Sequence, residues 1–212
     1  MDLRLPTIYP ITDASLAGIP IFDQVKQLID GGAELIQLRD KLSASNDLYD
    51  SAVSSVELAH KAGVRIIVND RVDIAMMCGA DGVHLGQNDL SPLNARKLMG
   101  ENAIIGYSTH ELGQVKAAME LPIDYIAFGP IYKTQTKVGQ DPVVGLELLR
   151  QARQITQGLP LVAIGGLTAA NIPKVFEAGA DSAAVISELM SHADNLTTRM
   201  RRLGQLKPIC KT

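Results

Sequence analysis

Polar and charged side chains follow several short apolar runs of this 212-residue chain, each at the point where the run ends. Such residues can bind an anion or a hard cation, because Arg and Lys pair with phosphate oxygens and carboxylates bind Mg²⁺. No Ser/His/Asp arrangement and no cysteine nucleophile can be assembled from them, so the sequence offers no covalent catalyst. In chain order the candidates are Gln37, Arg39, Lys41, Asn69, Asp70, Gln87, Asp89, Ser108, Thr134, Gln135, Thr136, Lys137, Gly165, Gly166, Ile186 and Ser187.

The second apolar run, residues 34–39, places three polar side chains on one face of a predicted strand. Side chains alternate along a strand, so Gln37, Arg39 and Lys41 share one parity. An amide and a cation that point into the interior of a protein are costly to bury without a partner. A bound anion is therefore the favoured interpretation, and a solvated strand end is the alternative.

Two aspartates, Asp70 and Asp89, follow the third and fourth apolar runs. If the two strands are neighbours, both carboxylates lie at one rim, and Mg²⁺ commonly takes one or two protein carboxylates together with phosphate oxygens. Taken singly, each aspartate is better explained as a helix cap, because each precedes a predicted helix. The pair together supports a metal site, and both interpretations stay open at this stage.

Two further segments have the composition of phosphate-binding loops. Gly165-Gly166 and Ile186-Ser187 follow the seventh and eighth runs, where backbone N–H groups and a helix N-terminus can hold a phosphate. Residues 133–142 lack apolar periodicity and contain two Lys and two Thr, which predicts a mobile lid that holds phosphate oxygens. The alternatives are a tight turn without a ligand and a solvated loop.

Other polar residues are predicted to be structural. His84 and His110 lack partners at metal-ligand spacing, so His84 is interpreted as a structural strand residue. The basic residues near the C-terminus are predicted to form the solvated face of the last helix.

Eight runs of branched aliphatic residues alternate with eight helical segments, which allows about 26 residues for each strand, helix and two loops. The joint Gly-Ala-Asp recurs at 79–81 and 179–181, which indicates repeated units. We therefore predict a single-domain α/β fold over residues 1–212, a (β/α)8 TIM barrel of the phosphate-binding type, with 204–212 as a short mobile tail. An open doubly wound sheet is disfavoured because residues 12–15 lack a glycine-rich turn.

The predicted element boundaries follow from these runs and from Gly, Pro and Ser signals. Ser91 and Pro92 are expected to be the N-cap and first residue of a helix, and Asn46 or Ser45 the N-cap of an earlier one. The predicted strands cover 7–12, 34–39, 65–69, 82–85, 103–107, 125–128, 161–164 and 183–186. The predicted helices cover 21–29, 47–61, 72–77, a segment starting at 91–92, 111–119, 144–155, 171–177 and 195–203.

Composition excludes several classes of function. The net charge of −3, from 20 basic and 23 acidic residues, does not suit a nucleic-acid partner. No apolar run approaches the ~20 residues that span a bilayer, and no signal peptide is recognised. With only Cys78 and Cys210, no disulfide scaffold is expected. We expect a cytoplasmic protein without membrane or nucleic-acid partners, and a homo-oligomer is compatible with this composition.

Seven segments at the predicted strand ends together resemble thiamine-phosphate synthases. The resemblance runs from about Thr7 to Leu203, and each motif is weak alone, whereas seven in order are specific. The segments are 37–41, 68–71, 82–89, 106–110, 128–131 with 134–137, 163–166 and 184–187.

This resemblance implies a transferase that works on small molecules. It would join 4-amino-2-methyl-5-pyrimidinylmethyl diphosphate to 4-methyl-5-(2-phosphoethyl)thiazole, or to its carboxylated form, and release pyrophosphate. The family's reaction is dissociative and uses one Mg²⁺ per subunit, so the diphosphate leaves before the thiazole nitrogen attacks.

The resemblance also implies roles for individual residues. The pyrimidine diphosphate would be held by Gln37, Arg39, Lys41, Asn69, Ser108 and Lys137, with Arg39, Ser108 and Lys137 as the catalytic residues. The thiazole phosphate would be held by Thr134, Gln135, Thr136, Gly166, Ile186 and Ser187. Asp70 and Asp89 would bind Mg²⁺.

Three alternatives are weighed against this interpretation. A thiazole tautomerase carries a catalytic His just after strand six, where this chain has Pro130, and is not expected to keep Asp89. A non-catalytic barrel that binds a phosphorylated metabolite would be expected to lose Lys137 or one aspartate. An epimerase or indole synthase would need its own acid–base pair in place of Asn69-Asp70 and Ser108.

Overall fold

The structure is a computed structural model that describes residues 4–134, 136, 142–191 and 195–206. These residues form eight parallel strands in one sheet, in the order β1-β8-β7-β6-β5-β4-β3-β2. The sheet closes on itself because Ile11 bridges Gln37 and the Thr12 N–H donates to the Gln37 carbonyl at 2.9 Å. The strands are β1 (Ile8–Pro10), β2 (Leu35–Leu38), β3 (Arg65–Asn69), β4 (Gly82–Leu85), β5 (Ile104–Thr109), β6 (Tyr125–Phe128), β7 (Leu161–Ile164) and β8 (Ser182–Val185).

The described helices alternate with the strands and pack outside the barrel, so the predicted (β/α)8 barrel is confirmed. In this part of the chain no helix combines the length and the apolar composition needed to cross a bilayer. The helices are α1 (Ala14–Ala17), α2 (Ile21–Asp30), α3 (Ser45–Lys61), α4 (Val72–Cys78), α5 (Pro92–Met99), α6 (Leu112–Ala118), α7 (Gly145–Thr156), α8 (Ile172–Glu177), α9 (Ser187–Met190) and α10 (Leu196–Leu203).

Two details of the predicted elements differ from the structure. The short helices α1 and α9 were not predicted, because four residues are too few to show a 3.6-residue period. The N-cap of α3 is Ala44, which makes no side-chain cap bond, so the prediction of Ser45 or Asn46 is wrong. Ser91 does cap α5, since its hydroxyl accepts from the Asn94 N–H and Pro92 follows at the first helical position.

The apolar core has two layers, as expected for a closed barrel. One layer lies between the strands and the helices and is almost entirely aliphatic. The other fills the barrel interior, where Tyr9 and Tyr125 are the two aromatic residues of the cluster. The interior cluster contains Tyr9, Ile11, Leu35, Ile67, Tyr125, Ala127, Val162 and Ala184.

The N-terminal rim of the barrel is fastened by three aspartates, which we call the rim aspartates: Asp81, Asp124 and Asp181. Each precedes a strand, and its carboxylate accepts a 2.7 Å hydrogen bond from a backbone N–H at the start of the preceding strand. Each also pairs with a basic side chain, in turn His60, Arg96 and Arg153. The recurring Gly-Ala-Asp joint of the sequence therefore has a structural role at the N-terminal rim. The opposite rim, at the C-terminal ends of the strands, is where barrels of this type carry their active sites.

Candidate active site

The C-terminal ends of the strands surround one cavity of about 410 Å³. This position is where barrels of this type carry their active sites. Gln135 and Lys137 lie outside the described residues. All the other residues with a predicted role line this cavity, namely Gln37, Arg39, Lys41, Asn69, Asp70, Asp89, Ser108, Thr134, Thr136, Gly166, Ile186 and Ser187.

Three polar side chains of one parity, at and beyond the end of β2, line this cavity. Gln37 is 2% exposed, and its amide nitrogen donates to the Tyr9 hydroxyl at 3.1 Å. Arg39 forms an ion pair with Asp13, whose carboxylate also caps α1. Lys41 lies further out, with Nζ 2.8 Å from Asp70 Oδ2. One wall of the cavity thus carries an amide and two cations.

Asp70 and Asp89 lie close together on the adjacent wall. Asp70 has a left-handed backbone conformation (φ 63°), and its N–H donates to the His84 carbonyl at 2.8 Å. Asp89 accepts a 2.7 Å hydrogen bond from the Gly86 N–H. Burial raises the pKa of the Asp89 carboxyl, and the negative charge of Asp70 raises this pKa further.

Neither aspartate caps the helix that follows it. The N-cap of α4 is Arg71 and that of α5 is Ser91, so the helix-cap interpretation is wrong for both Asp70 and Asp89. Among the described residues, no cluster of three or more His, Cys, Asp or Glu side chains could enclose a metal ion. Two nearby carboxylates that leave the other positions to substrate or water oxygens are a donor set that fits Mg²⁺.

A continuous chain of hydrogen bonds crosses the barrel interior beneath the cavity. It runs from Gln37 to the Tyr9 hydroxyl, then to the Tyr125 hydroxyl at 2.9 Å, to His84 Nδ1 at 2.9 Å, and from His84 Nε2 to Ser108 Oγ at 2.8 Å. Burial lowers the pKa of His84 to about 4, so the imidazole is neutral near pH 7. We call these five residues the buried chain.

His84 is a buried residue of a strand, as predicted, and the structure adds its contacts with the site. It lines the cavity and contacts Ser108, a residue with a predicted catalytic role. Parity could have identified His84 as a site residue. His84 is the third residue of the buried strand β4, just as Gln37 is the third residue of the buried strand β2. His110 also lines the cavity, with Nδ1 2.7 Å from the Gly129 carbonyl.

Three residues that are neighbours across the sheet fix the geometry of the buried chain. His84 is paired with Gly106 on β5, and Gly106 with Tyr125 on β6. The His84 and Tyr125 rings stack across the glycine, with centroids 5.5 Å apart and planes inclined by 25°. A Cβ atom on Gly106 would lie 2.0 Å from Tyr125 Cζ and 2.5 Å from His84 Nδ1, so this stacking requires glycine here.

The glycines after β7 bring the backbone close to the far wall of the cavity. Gly165 and Gly166 have φ of 100° and 65°, and a Cβ on Gly166 would lie 2.6 Å from the Lys133 carbonyl oxygen. The Gly166 carbonyl accepts from the Asn171 amide at 2.9 Å, which fixes the turn. Thr134, Thr136 and Ser187 face the same cavity. This wall offers hydroxyls and a close backbone approach to a ligand.

Comparisons with known proteins converge on one family. The family model described as thiamine monophosphate synthase matches residues 8–189. The chain is 43% identical over 195 residues to a thiamine-phosphate synthase of Koribacter versatilis, covering 89% of this chain and 90% of the relative. It is 42% identical over 208 residues to a thiamine-phosphate synthase of Persephonella marina, covering 97% and 96% of the two chains.

Solved structures agree with these relatives. The thiamine phosphate pyrophosphorylase from Pyrococcus furiosus superposes with a TM-score of 0.84 at 32% sequence identity and covers 93% of each chain. A tryptophan synthase alpha-subunit from Pyrococcus furiosus reaches a TM-score of 0.73 at 12% identity, over 94% of this chain and 98% of that one. This second likeness reflects the shared barrel fold alone.

Proposed function

The chain belongs to the thiamine monophosphate synthase family and has the transferase activity for which its relatives are named, and from this premise we propose how its cavity performs the reaction. The substrates are a 4-aminopyrimidinylmethyl diphosphate and a thiazole phosphate, and the products are thiamine phosphate and pyrophosphate. The observation that carries the proposal is the position of Lys41, Asp70 and Asp89 at one mouth of the barrel.

The diphosphate binds where these charges meet. Asp70 and Asp89 would hold Mg²⁺, which when bound would supply positive charge to offset the negative charge that grows on the leaving diphosphate. Lys41 lies within reach of the same oxygens, since its ammonium group already contacts Asp70. Arg39 adds positive charge from deeper in the cavity while Asp13 holds its guanidinium in place. By resemblance, Lys137 acts on the same group.

The aminopyrimidine ring lies deeper in the barrel. Gln37, Asn69 and Ser108 line that part of the cavity and orient the ring by hydrogen bonds. The bond between the methylene carbon and the diphosphate oxygen breaks, and its electron pair leaves with the oxygen. The ring amino group releases electron density toward the methylene carbon, so the cation that forms is stabilised. No protein nucleophile takes part.

The thiazole phosphate binds on the opposite wall. Gly166, Thr134, Thr136, Ile186 and Ser187 offer backbone and hydroxyl groups to its phosphate. By resemblance, Gln135 belongs to this set. The thiazole nitrogen then attacks the methylene carbon with its lone pair and forms the new C–N bond. Water would capture the same cation, so binding of the thiazole before the diphosphate leaves protects the reaction.

The direct test mixes purified protein, Mg²⁺ and both substrates and follows the release of pyrophosphate together with thiamine phosphate. We expect pyrophosphate release to require the thiazole phosphate and to stop when EDTA removes the metal. A matched reaction without thiazole phosphate is the control. Equal pyrophosphate release with and without thiazole phosphate would indicate a diphosphatase instead, and the absence of thiamine phosphate would reject the proposed reaction.

A further inference from the structure

Strands β4 and β5 end at different heights at the C-terminal mouth of the barrel. β4 ends at Leu85, which is paired with Tyr107, whereas β5 continues to Thr109. Beyond Leu85 the chain of β4 no longer runs alongside β5, so the last carbonyl groups of β5 need another hydrogen-bond donor on that side. Residues 86–89 leave the sheet at this point and carry Asp89 to the cavity.

The register of the two strands identifies the bond that is lost. The Ile104 N–H donates to the Asp81 carbonyl at 2.9 Å, and Ile104 is paired with Gly82. A parallel ladder repeats this pattern every two residues, so a longer β4 would donate from the Gln87 N–H to the Ser108 carbonyl. In the structure the side-chain amide of Gln87 donates to this carbonyl instead, at 2.7 Å. The Gln87 side chain therefore replaces its own backbone in the ladder.

Residues 86–89 form a closed turn that carries Asp89. The Gly86 N–H donates to Asp89 Oδ2 at 2.7 Å, and the Asp89 N–H donates to the Gly86 carbonyl at 3.3 Å. A Cβ atom on Gly86 would lie 3.1 Å from Asp89 Oδ2, so the carboxylate packs closely against its own turn. These contacts fix Asp89 relative to Gly86 but not relative to β5. Among the residues that the structure describes, the bond from Gln87 to Ser108 is the one hydrogen bond that joins this turn to β5.

Resting on the proposed function, we propose that Gln87 is a positioning residue that holds Asp89 at a fixed distance from Ser108. Asp89 is a proposed ligand of the Mg²⁺ that accompanies the diphosphate, and Ser108 is proposed to contact the ring of the same substrate molecule. The bond that breaks joins the ring methylene to the diphosphate. A fixed spacing between the two residues therefore aligns both parts of the substrate for this step.

The side-chain bond allows β4 to stop early without leaving the Ser108 carbonyl unpaired. A strand rises about 3.3 Å per residue, so four more strand residues would carry Asp89 roughly 13 Å beyond Leu85. The turn instead keeps the Asp89 carboxylate beside Gly86, in the lining of the cavity. Gln87 is exposed, so water offsets much of the energy of its hydrogen bond. The bond therefore contributes more to the geometry of the site than to the stability of the fold.

The variant Gln87→Met keeps the length of the side chain and removes the donor. Calorimetric titration of Mg²⁺ in the presence of pyrophosphate measures metal binding without any reaction. We expect Mg²⁺ to bind about threefold to tenfold more weakly than in the wild type, the range for one lost hydrogen bond that orients a ligand. Gln151→Met is the matched control, because the Gln151 amide donates only to Glu147 on α7, and it should leave Mg²⁺ affinity unchanged.

Initial rates and thermal unfolding separate positioning from a purely structural role. In Gln87→Met, kcat should fall by a similar factor. The KM for thiazole phosphate should stay within about twofold, because the residues proposed to bind it follow β6, β7 and β8. The melting temperature should change by less than about 2 °C, since little stability is lost with an exposed hydrogen bond. Unchanged Mg²⁺ affinity, or a lower melting temperature with all kinetic constants altered alike, would overturn the proposal.

A double-variant cycle tests whether Gln87 acts through Asp89. If it does, Gln87→Met should lower kcat by less than about twofold in a protein that already carries Asp89→Asn. Losses that multiply fully would show that Gln87 acts elsewhere and would also overturn the proposal. The proposed function is measured separately, as thiamine phosphate formed by the wild type. Its failure would leave the calorimetric comparison of Gln87→Met with Gln151→Met intact, so the two failures are distinguishable.

Discussion

Lys41 Nζ lies 2.8 Å from Asp70 Oδ2, so a cation and a proposed metal ligand neutralise each other in the absence of substrate. The Lys41 side chain is 53% exposed, and pairs of this exposure contribute only ~0–1 kcal/mol. Such a pair is easily exchanged when a metal approaches Asp70 and a diphosphate approaches Lys41. The pair is therefore a weak contact that substrate and metal can replace at little cost.

Replacing Lys41 by Gln is expected to have two effects of opposite sign. Without substrate, the metal no longer competes with an ammonium group at Asp70, so Mg²⁺ should bind a few-fold more tightly. Turnover should fall by roughly 10²-fold, because one cation that stabilises the leaving group is lost. Calorimetric Mg²⁺ titration and initial rates measure the two effects, with Lys61→Gln on α3 as the control. Weaker metal binding in Lys41→Gln would contradict this account.

The double variant Asp70→Asn with Asp89→Asn tests the metal site. Asparagine can still accept the hydrogen bond from the Gly86 N–H, so the loop should keep its shape while the negative charge is removed. Both Mg²⁺ binding and turnover should be lost, because Mg²⁺ affinity depends on carboxylate charge. Circular dichroism and calorimetry check fold and binding. Turnover that Mg²⁺ still stimulates would show that other residues hold the metal.

Gly106→Ala is expected to displace two members of the buried chain, Tyr125 and His84. The new methyl group would overlap Tyr125 Cζ and His84 Nδ1, and overpacking of this kind costs about 1–3 kcal/mol of unfolding free energy. Tyr125→Leu shortens the opposing side chain, so the double variant should be less destabilised than the sum of the two single variants. Urea denaturation measures all three proteins.

Gly113→Ala is the matched control for this glycine. It lies in α6, where a Cβ atom would approach Glu111 Oε1 no closer than 3.5 Å, and alanine favours a helix by roughly 0.5–1 kcal/mol. We expect it to be neutral or stabilising. If Gly106→Ala behaves like Gly113→Ala, the close approach of Tyr125 and His84 is not a constraint on this position.

The barrel could be predicted from the sequence because the signals for its strands and helices each lie within one short segment of the chain. Most of the strands are short runs rich in aliphatic residues, and parity along β2 was enough to place Gln37, Arg39 and Lys41 on one face. The clustering of Lys41, Asp70 and Asp89 followed from strand order, since β2, β3 and β4 are neighbours in the sheet. The sequence is sufficient where the position of a side chain depends only on its own strand and on the neighbouring strand.

The buried chain could not be predicted in the same way. Tyr9 and Tyr125 are 116 residues apart, and Tyr125 and His84 are 41 apart, so no local pattern links them. Their contact depends on β1 and β6 facing each other across the closed barrel and on Gly106 leaving room for a ring. Parity places each side chain inside, but it does not show which ones meet.

The buried neutral His84 should make the stability of the fold depend on pH. Its pKa is 6.5 in the unfolded chain and about 4 in the folded protein, so between these values only the unfolded state takes up the proton. The unfolding free energy should therefore fall as the pH drops from about 6.5 to about 4, by at most about 3 kcal/mol from this group.

Urea denaturation at several pH values in EDTA measures this dependence. His84→Gln cannot take up the proton, so its unfolding free energy should change less over the same pH range, whatever its absolute stability. His60→Gln, which replaces an exposed histidine on α3, is the control. Identical slopes for the wild type and His84→Gln would show that His84 titrates alike in the folded and unfolded states.

The rim aspartates should affect stability without affecting catalysis. Asp124 accepts from the Ile105 N–H at 2.7 Å and pairs at 2.7 Å with Arg96, a largely buried guanidinium that also binds four backbone carbonyls. Asp124→Ala leaves a backbone N–H and a buried charge without this partner, and should lower the unfolding free energy by about 2–4 kcal/mol.

Glu147→Ala is the surface comparison for Asp124→Ala. Glu147 and Arg150 pair at 3.2 Å on α7 and are both at least half exposed, so loss of this pair should cost less than about 1 kcal/mol. Because Asp124 lies at the rim opposite the cavity, the folded fraction of Asp124→Ala should keep a kcat near that of the wild type. A large loss of kcat at temperatures where Asp124→Ala is fully folded would show that the two rims of the barrel are not independent.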